Sequence, residues 1–196
     1  MRQRLNGLPR PLQALVGWAV TIAIAIAVVL VLRTEIASPY RIPSSSMEPA
    51  LHCARPAEGC LSGSSDRILA NRFIYRFRAP RRGEIVVFQT PSRTRAACAE
   101  GGTFVKRIVG LPGETITEQV GVILVDGRRL IEPYVRRSER DSRSGTWQQI
   151  PAGHYFMLGD NRANSCDSRD WGTVPRANLI GPVFLTYWPP GRLHTP

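Results

Sequence analysis

Lysine is almost missing from this chain: of 26 basic residues, Lys106 alone is lysine and all the others are arginine. Histidine is scarce as well, and none of the three (His52, His154, His194) sits in a motif that would give it catalytic work. No CxxC pair and no histidine cluster is present, so no metal is expected, and no cofactor either. The net charge of +11 comes without a helix-turn-helix pattern or an aromatic-interleaved basic motif, which argues against a nucleic-acid partner. Internal repeats and long low-complexity tracts are absent too. Together with a 43% hydrophobic content, that excludes solenoid arrays and disordered chains.

What is present begins with an uncharged run of 19 residues, Ala14 to Leu32. It is long enough to cross a bilayer as a helix, and longer than the apolar core of a cleaved signal peptide. Arg2, Arg4 and Arg10 precede it with no acid among them, so residues 1–13 are expected in the cytoplasm and residues 33–196 outside. Placing a basic outer domain against an anionic membrane gives the charge a use and makes membrane lipid an expected partner. All four cysteines (Cys53, Cys60, Cys98, Cys166) lie beyond the anchor, where disulfides persist. Cys53 and Cys60 enclose a short polar loop that a disulfide could close, which would leave Cys98 and Cys166 for each other.

The outer domain reads as all-β. Its 16 prolines and 17 glycines are spread between short apolar runs rather than long helical periods. The segment from Ser38 to Leu51 reads as turn-rich, and "DRILANRFIYRF" as one strand. "GEIVVFQT", "GTFVKRIVG", "HYFMLGD" and "LIGPVFLTYW" read as further strands. Asp126-Gly127 between two strand-like runs is a hairpin signal. On "GTFVKRIVG" a period of two puts Phe104, Lys106 and Ile108 on one face, so the lone lysine shares a side with apolar neighbours. A buried lysine can lose its proton, whereas arginine stays charged, and a neutral amine can serve a serine nucleophile as its base. Ser44, Ser45 and Ser46, between two prolines, supply the candidate serines.

Taken together, "PSSSMEPAL", "GEIVVF", "FVKRIVGLPGE" and "GDNRANSCDSRDWGTVP" resemble, in order and spacing, the motif boxes of the type I signal peptidases. The resemblance runs from about Tyr40 to Pro190. It implies a mostly antiparallel β catalytic domain with Ser46 as nucleophile and Lys106 as general base. Ser44 would help hold the oxyanion and Ser165 would orient the lysine amine. Asp167 and Arg169 would form a supporting salt bridge, with Asp160 and Arg162 in the same scaffold. It also implies a single-pass enzyme of the cytoplasmic membrane that cuts exported preproteins after small residues at positions −1 and −3. Residues 115–152 leave room only for a small β-hairpin cap, expected to affect periphery and stability more than chemistry. Because Cys166 follows Ser165, it would be carried toward the lysine strand, where a bridge to Cys98 becomes feasible. The rival readings are a dedicated processing peptidase of the same clan and an inactive anchored binding module.

Overall fold

The computed structural model describes residues 9–35 and 37–196. The chain divides into two units, Met1–Ala37 and Ser38–Pro196. In the first, α1 spans Arg10–Glu35, and its described apolar side chains, from Leu15 to Leu30, are mostly exposed. Among the described residues no helix is long and apolar enough to cross a membrane. The end of the expected span, at 31 and 32, lies outside the described side chains, as do Arg2, Arg4 and Arg10.

The second unit is built on a seven-stranded sheet in the order β1-β2-β11-β3-β4-β9-β10. The strands are β1 (Ala37–Arg41), β2 (Arg67–Asn71), β3 (Ile85–Gln89), β4 (Thr103–Gly110), β9 (His154–Leu158), β10 (Val174–Pro175) and β11 (Leu179–Trp188). Between β4 and β9 a second sheet is inserted, ordered β7-β6-β5-β8. It is formed by β5 (Ile116–Gln119), β6 (Val122–Val125), β7 (Arg128–Arg129) and β8 (Gly145–Trp147). The pairings from β2 through β10, and those of the second sheet, are antiparallel.

The unbroken apolar run of β3 follows from its place at the centre. Ile85 and Val87 point into a core with Met47, Leu51 and Ile68, while Val86 and Phe88 point into one with Ile108, Met157 and Trp171. A strand covered on both faces has no need of polar alternation. A third core, with Val109, Phe156, Ile116 and Ile123, joins the two sheets.

Three readings change. Residues 37–41, within and just before the stretch read as turn-rich, form edge strand β1. The strand read through Phe77 stops at Asn71, because its side-chain Oδ1 accepts from the backbone N–H groups of Phe73 (2.9 Å) and Ile74 (3.0 Å). Such an Asx turn satisfies locally the donors a strand would offer its neighbour. The domain is also not purely β: short helices α2 (Thr94–Cys98) and α3 (Ser168–Trp171) flank the sheet. The latter is started by Asp167 in a capping box with Asp170. At Asp126 (φ 49°) and Gly127 (φ 75°) both turn residues are left-handed, as a type I′ hairpin requires.

Candidate active site

Ser46 lies in a tight 3-10 turn, Ser45–Met47, in the wall of a cleft of about 450 Å³. Met47 anchors this turn in the core beneath β2 and β3. Lys106 lies mid-strand on β4, paired with Val86, and its side chain is 3% exposed. Its Nζ is 2.5 Å from Ser46 Oγ and 5.6 Å from the centroid of the Phe104 ring. Burial pulls the amine down from its ordinary value of 10.5 to about 8, against the opposing charges of Asp167 and Asp160. A serine hydroxyl and an amine that burial shifts toward its neutral form therefore touch.

The other serines take distinct positions. Ser44 occupies the N-cap of the turn but makes no capping bond, and its Oγ instead faces Ser46 Oγ at 3.4 Å. That leaves its hydroxyl available at the cleft, which Ser44 lines. Ser45 turns away: a Cβ on Gly59 would sit 2.7 Å from its Oγ, so its side chain is packed against the 53–60 loop. The Ser165 hydroxyl is buried without a hydrogen-bond partner of full geometry, and the expected bond to the Lys106 amine is not formed. It lies beside Asp167, whose charge it helps to hold.

Around this pair runs a lattice of buried charges. Arg169 grips Asp167 with two bonds, Nε to Oδ1 at 2.8 Å and Nη2 to Oδ2 at 2.9 Å. Burial alone would raise the Asp167 carboxyl, but the guanidinium holds it below its ordinary value. Arg107 grips Asp160 with two bonds as well, at 2.8 and 2.6 Å, but there burial outweighs the guanidinium and the carboxyl stays above its ordinary value; Arg162 is paired with Glu132. Arg169 also reaches Glu118 (3.3 Å) and Asp141 (2.7 Å).

These last partners give the insertion a structural part in the site. Glu118 lies on β5, and Glu132 and Asp141 lie in the β7–β8 connection. The inserted segment thus supplies carboxylates to arginines of the last motif.

Two further residues hold the site without a distinctive signature in the sequence. Asn161 donates its backbone N–H to Ser46 O (3.1 Å) and its side-chain amide to Ser45 O (3.3 Å), tying the last motif to the serine turn. Gly159 lies so close to Ser46 and Ser165 that no side chain fits there. Their only signal is their place in "GDNR", beside the charged residues Asp160 and Arg162.

The structure joins Cys53 to Cys60 (Cα–Cα 5.1 Å) and Cys98 to Cys166 (6.0 Å). The second bridge links the segment before β4 to the segment after Ser165 and lines the cleft. Closing 68 residues instead of 7, it removes more freedom from the unfolded chain: about 4 against about 2.5 kcal/mol by loop-closure entropy. Cys98→Ser with Cys166→Ser should therefore lower the guanidinium midpoint more than Cys53→Ser with Cys60→Ser. The reverse order would mean that the short loop carries the greater share.

A serine hydroxyl against a buried, partly deprotonated amine in an open cleft is the arrangement of a serine hydrolase. The family model "Signal peptidase, peptidase S26" matches residues 15–188. Signal peptidase I of Leptolyngbya laminosa is 38% identical over 88% of this chain and 79% of its own length. Signal peptidase I of Mycobacterium tuberculosis (H37Rv) is 30% identical over 94% of this chain and 76% of its own. The probable thylakoidal processing peptidase 2 of Arabidopsis thaliana is 34% identical over 86% of this chain and 43% of its own. Among solved structures, a signal peptidase I from Enterococcus faecalis V583 aligns at 31% identity over 54% of this chain and 97% of that one, with a TM-score of 0.44. The chain belongs to the S26 signal peptidase family of serine peptidases.

Proposed function

We propose that this protein is a membrane-anchored endopeptidase that removes signal peptides from exported preproteins with a Ser46–Lys106 dyad. The observation that carries the reading is the 2.5 Å contact between the buried Lys106 amine and Ser46 Oγ at the cleft. Neutral Lys106 takes the Ser46 proton as Oγ attacks the carbonyl carbon of the residue at −1. The developing oxyanion is met by the Ser46 backbone N–H and the Ser44 hydroxyl. Lys106 then passes its proton to the leaving amine, and the acyl-enzyme is hydrolysed by a water that the same amine activates.

The cleft wall around Ser46 includes Ile42, Phe104 and Val105, apolar side chains suited to small substrate residues at −1 and −3. The apolar N-terminal helix serves as the anchor, with the N-terminus in the cytoplasm and the catalytic domain outside. Sharing a membrane raises the effective concentration of enzyme and preprotein toward each other.

The test is cleavage of a panel of unrelated preproteins by the full chain in detergent or lipid. Ser46→Ala should abolish processing. Ser44→Ala should lower kcat/KM by about 10²–10³-fold if its hydroxyl meets the oxyanion. Ser45→Ala should be nearly silent, since its hydroxyl faces Gly59 rather than the cleft. An active Ser46→Ala protein would remove the dyad. Cleavage of one substrate from the panel and no other would favour the dedicated processing role, the kind of role carried in the name of the thylakoidal relatives.

A further inference from the structure

Glu48 follows the serine turn by one residue, is wholly buried, and has no part in the chemistry above. Its backbone N–H closes the turn on Ser45 O (3.0 Å). Its carboxylate reaches into the next loop. Oε1 accepts from the backbone N–H groups of Cys53 (3.1 Å) and Leu61 (3.2 Å), one at each end of the disulfide-closed loop. Oε2 is paired with His52 Nδ1. One side chain therefore draws both ends of the 53–60 loop onto the residue that ends the nucleophile turn.

The loop in turn presses back on that turn. Gly59, with φ at +72°, approaches Ser45 so closely that an added Cβ would lie 2.7 Å from its Oγ and 2.9 Å from its Cβ. Ser46 is held from the other side by Asn161. The turn is thus clamped between the last motif and the loop that Glu48 holds. Beneath the clamp, Asp66 accepts from the His52 backbone N–H (2.8 Å) and pairs with Arg192 (3.2 Å), fixing the histidine that faces Glu48.

From this geometry we infer that Glu48 is a positioning residue for the Ser46 nucleophile, acting through the Cys53–Cys60 loop. The inference rests on the dyad reading, and it goes beyond that reading by assigning the clamp that sets where Ser46 Oγ stands relative to Lys106. Because a misplacement of the order of 1 Å is worth about 10²-fold in rate, loss of the clamp should appear in kcat rather than KM. A carboxamide can still accept an amide N–H through its oxygen, so glutamine should preserve most of the clamp and alanine none.

The experiment compares Glu48→Ala, Glu48→Gln and His52→Ala with the unmodified full chain, with kcat expressed per folded molecule. Glu48→Ala is expected to lower kcat by about 10²-fold with KM little changed, and Glu48→Gln to restore most of that loss. The alkaline rise in rate that reports Lys106 should move upward in Glu48→Ala, because an amine parted from Ser46 is open to water, and should stay in place in Glu48→Gln. Wild-type kcat per folded molecule in Glu48→Ala, or a loss confined to KM, overturns the inference. Should Glu48→Ala not fold, the other two decide: His52→Ala is expected to lose several-fold in kcat, and unchanged kcat in both overturns the inference equally. Ser46→Ala in the same series separates the two readings. Activity in that variant sinks the dyad, whereas an inactive Ser46→Ala beside an unaffected Glu48→Ala sinks only the clamp.

Discussion

Lys106→Arg is expected to lower kcat/KM by at least about 10²–10⁴-fold, the contribution of a positioned general base, although it keeps the charge and most of the bulk. A guanidinium does not deprotonate in a protein, so it cannot accept the Ser46 proton. The wild-type enzyme should show the corresponding pH dependence. With the amine lowered to about 8, kcat/KM should rise with pH through that value as the neutral form accumulates.

The same burial has a thermodynamic side. The folded pKa lies below the unfolded one, so between about 8 and 10.5 the unfolded chain binds more protons and stability rises with pH. Below about 8 the full cost of burying the ammonium is felt, about 3 kcal/mol from the difference between the two values. Lys106→Met should therefore be inactive yet more stable than wild type at pH 7, with the gain shrinking toward pH 10. Denaturant midpoints across that range check it. Substantial cleavage by Lys106→Arg would return the search for a base to the histidines.

Gly159→Ala should be nearly as damaging, though it adds one methyl group far along the chain from Ser46. The new Cβ would stand 2.2 Å from Ser165 Oγ and 2.5 Å from Ser46 O, and the second of these is backbone that cannot swing aside. Ser46 O is also the acceptor for Asn161 N–H, so any relief moves the serine turn against its own tether. Overpacking of this kind costs about 1–3 kcal/mol of stability, and a shift of the order of 1 Å at Ser46 costs about 10²-fold in turnover. Gly63→Ala, where a Cβ meets nothing within 4 Å, is the matched control and should be silent in both unfolding and cleavage assays. Normal kinetics in Gly159→Ala would mean that the strand end yields more readily than its contacts suggest.

The sequence made some of these features plain and hid others for physical reasons. A period of two on β4 was enough to put Lys106 with Phe104 and Ile108, because alternation is a local property of strands. The four-residue apolar run of β3 signalled burial on both faces for the same reason. The end of β2 at Asn71 was less visible: an Asx turn is chemically modest and lies inside a run that is otherwise strand-like. Beyond Asp167, the partners of Arg162 and Arg169 could not be read at all. Glu118, Glu132 and Asp141 are ordinary acids in an insertion, and only the folding of that insertion onto the last motif brings them to the guanidiniums. Gly159 carries no signal of its own in the sequence, and its purpose appears only once Ser46 and Ser165 are seen on either side of it.

That dependence of the last motif on the insertion bears on how small such an enzyme can be made. Deleting the second sheet would look like trimming an ornament, yet it would strip Arg162, whose side chain is wholly enclosed, of its paired carboxylate Glu132, and leave Arg169 with Asp167 alone. A guanidinium left buried without its partner costs about 3–5 kcal/mol, a large share of what holds a domain of this size together. A shortened version therefore has to be redesigned rather than cut: Arg162 would give way to an apolar side chain in the same step that removes Glu132. The two segments can be shortened only together, each buried guanidinium leaving in the same step as the carboxylate that holds it.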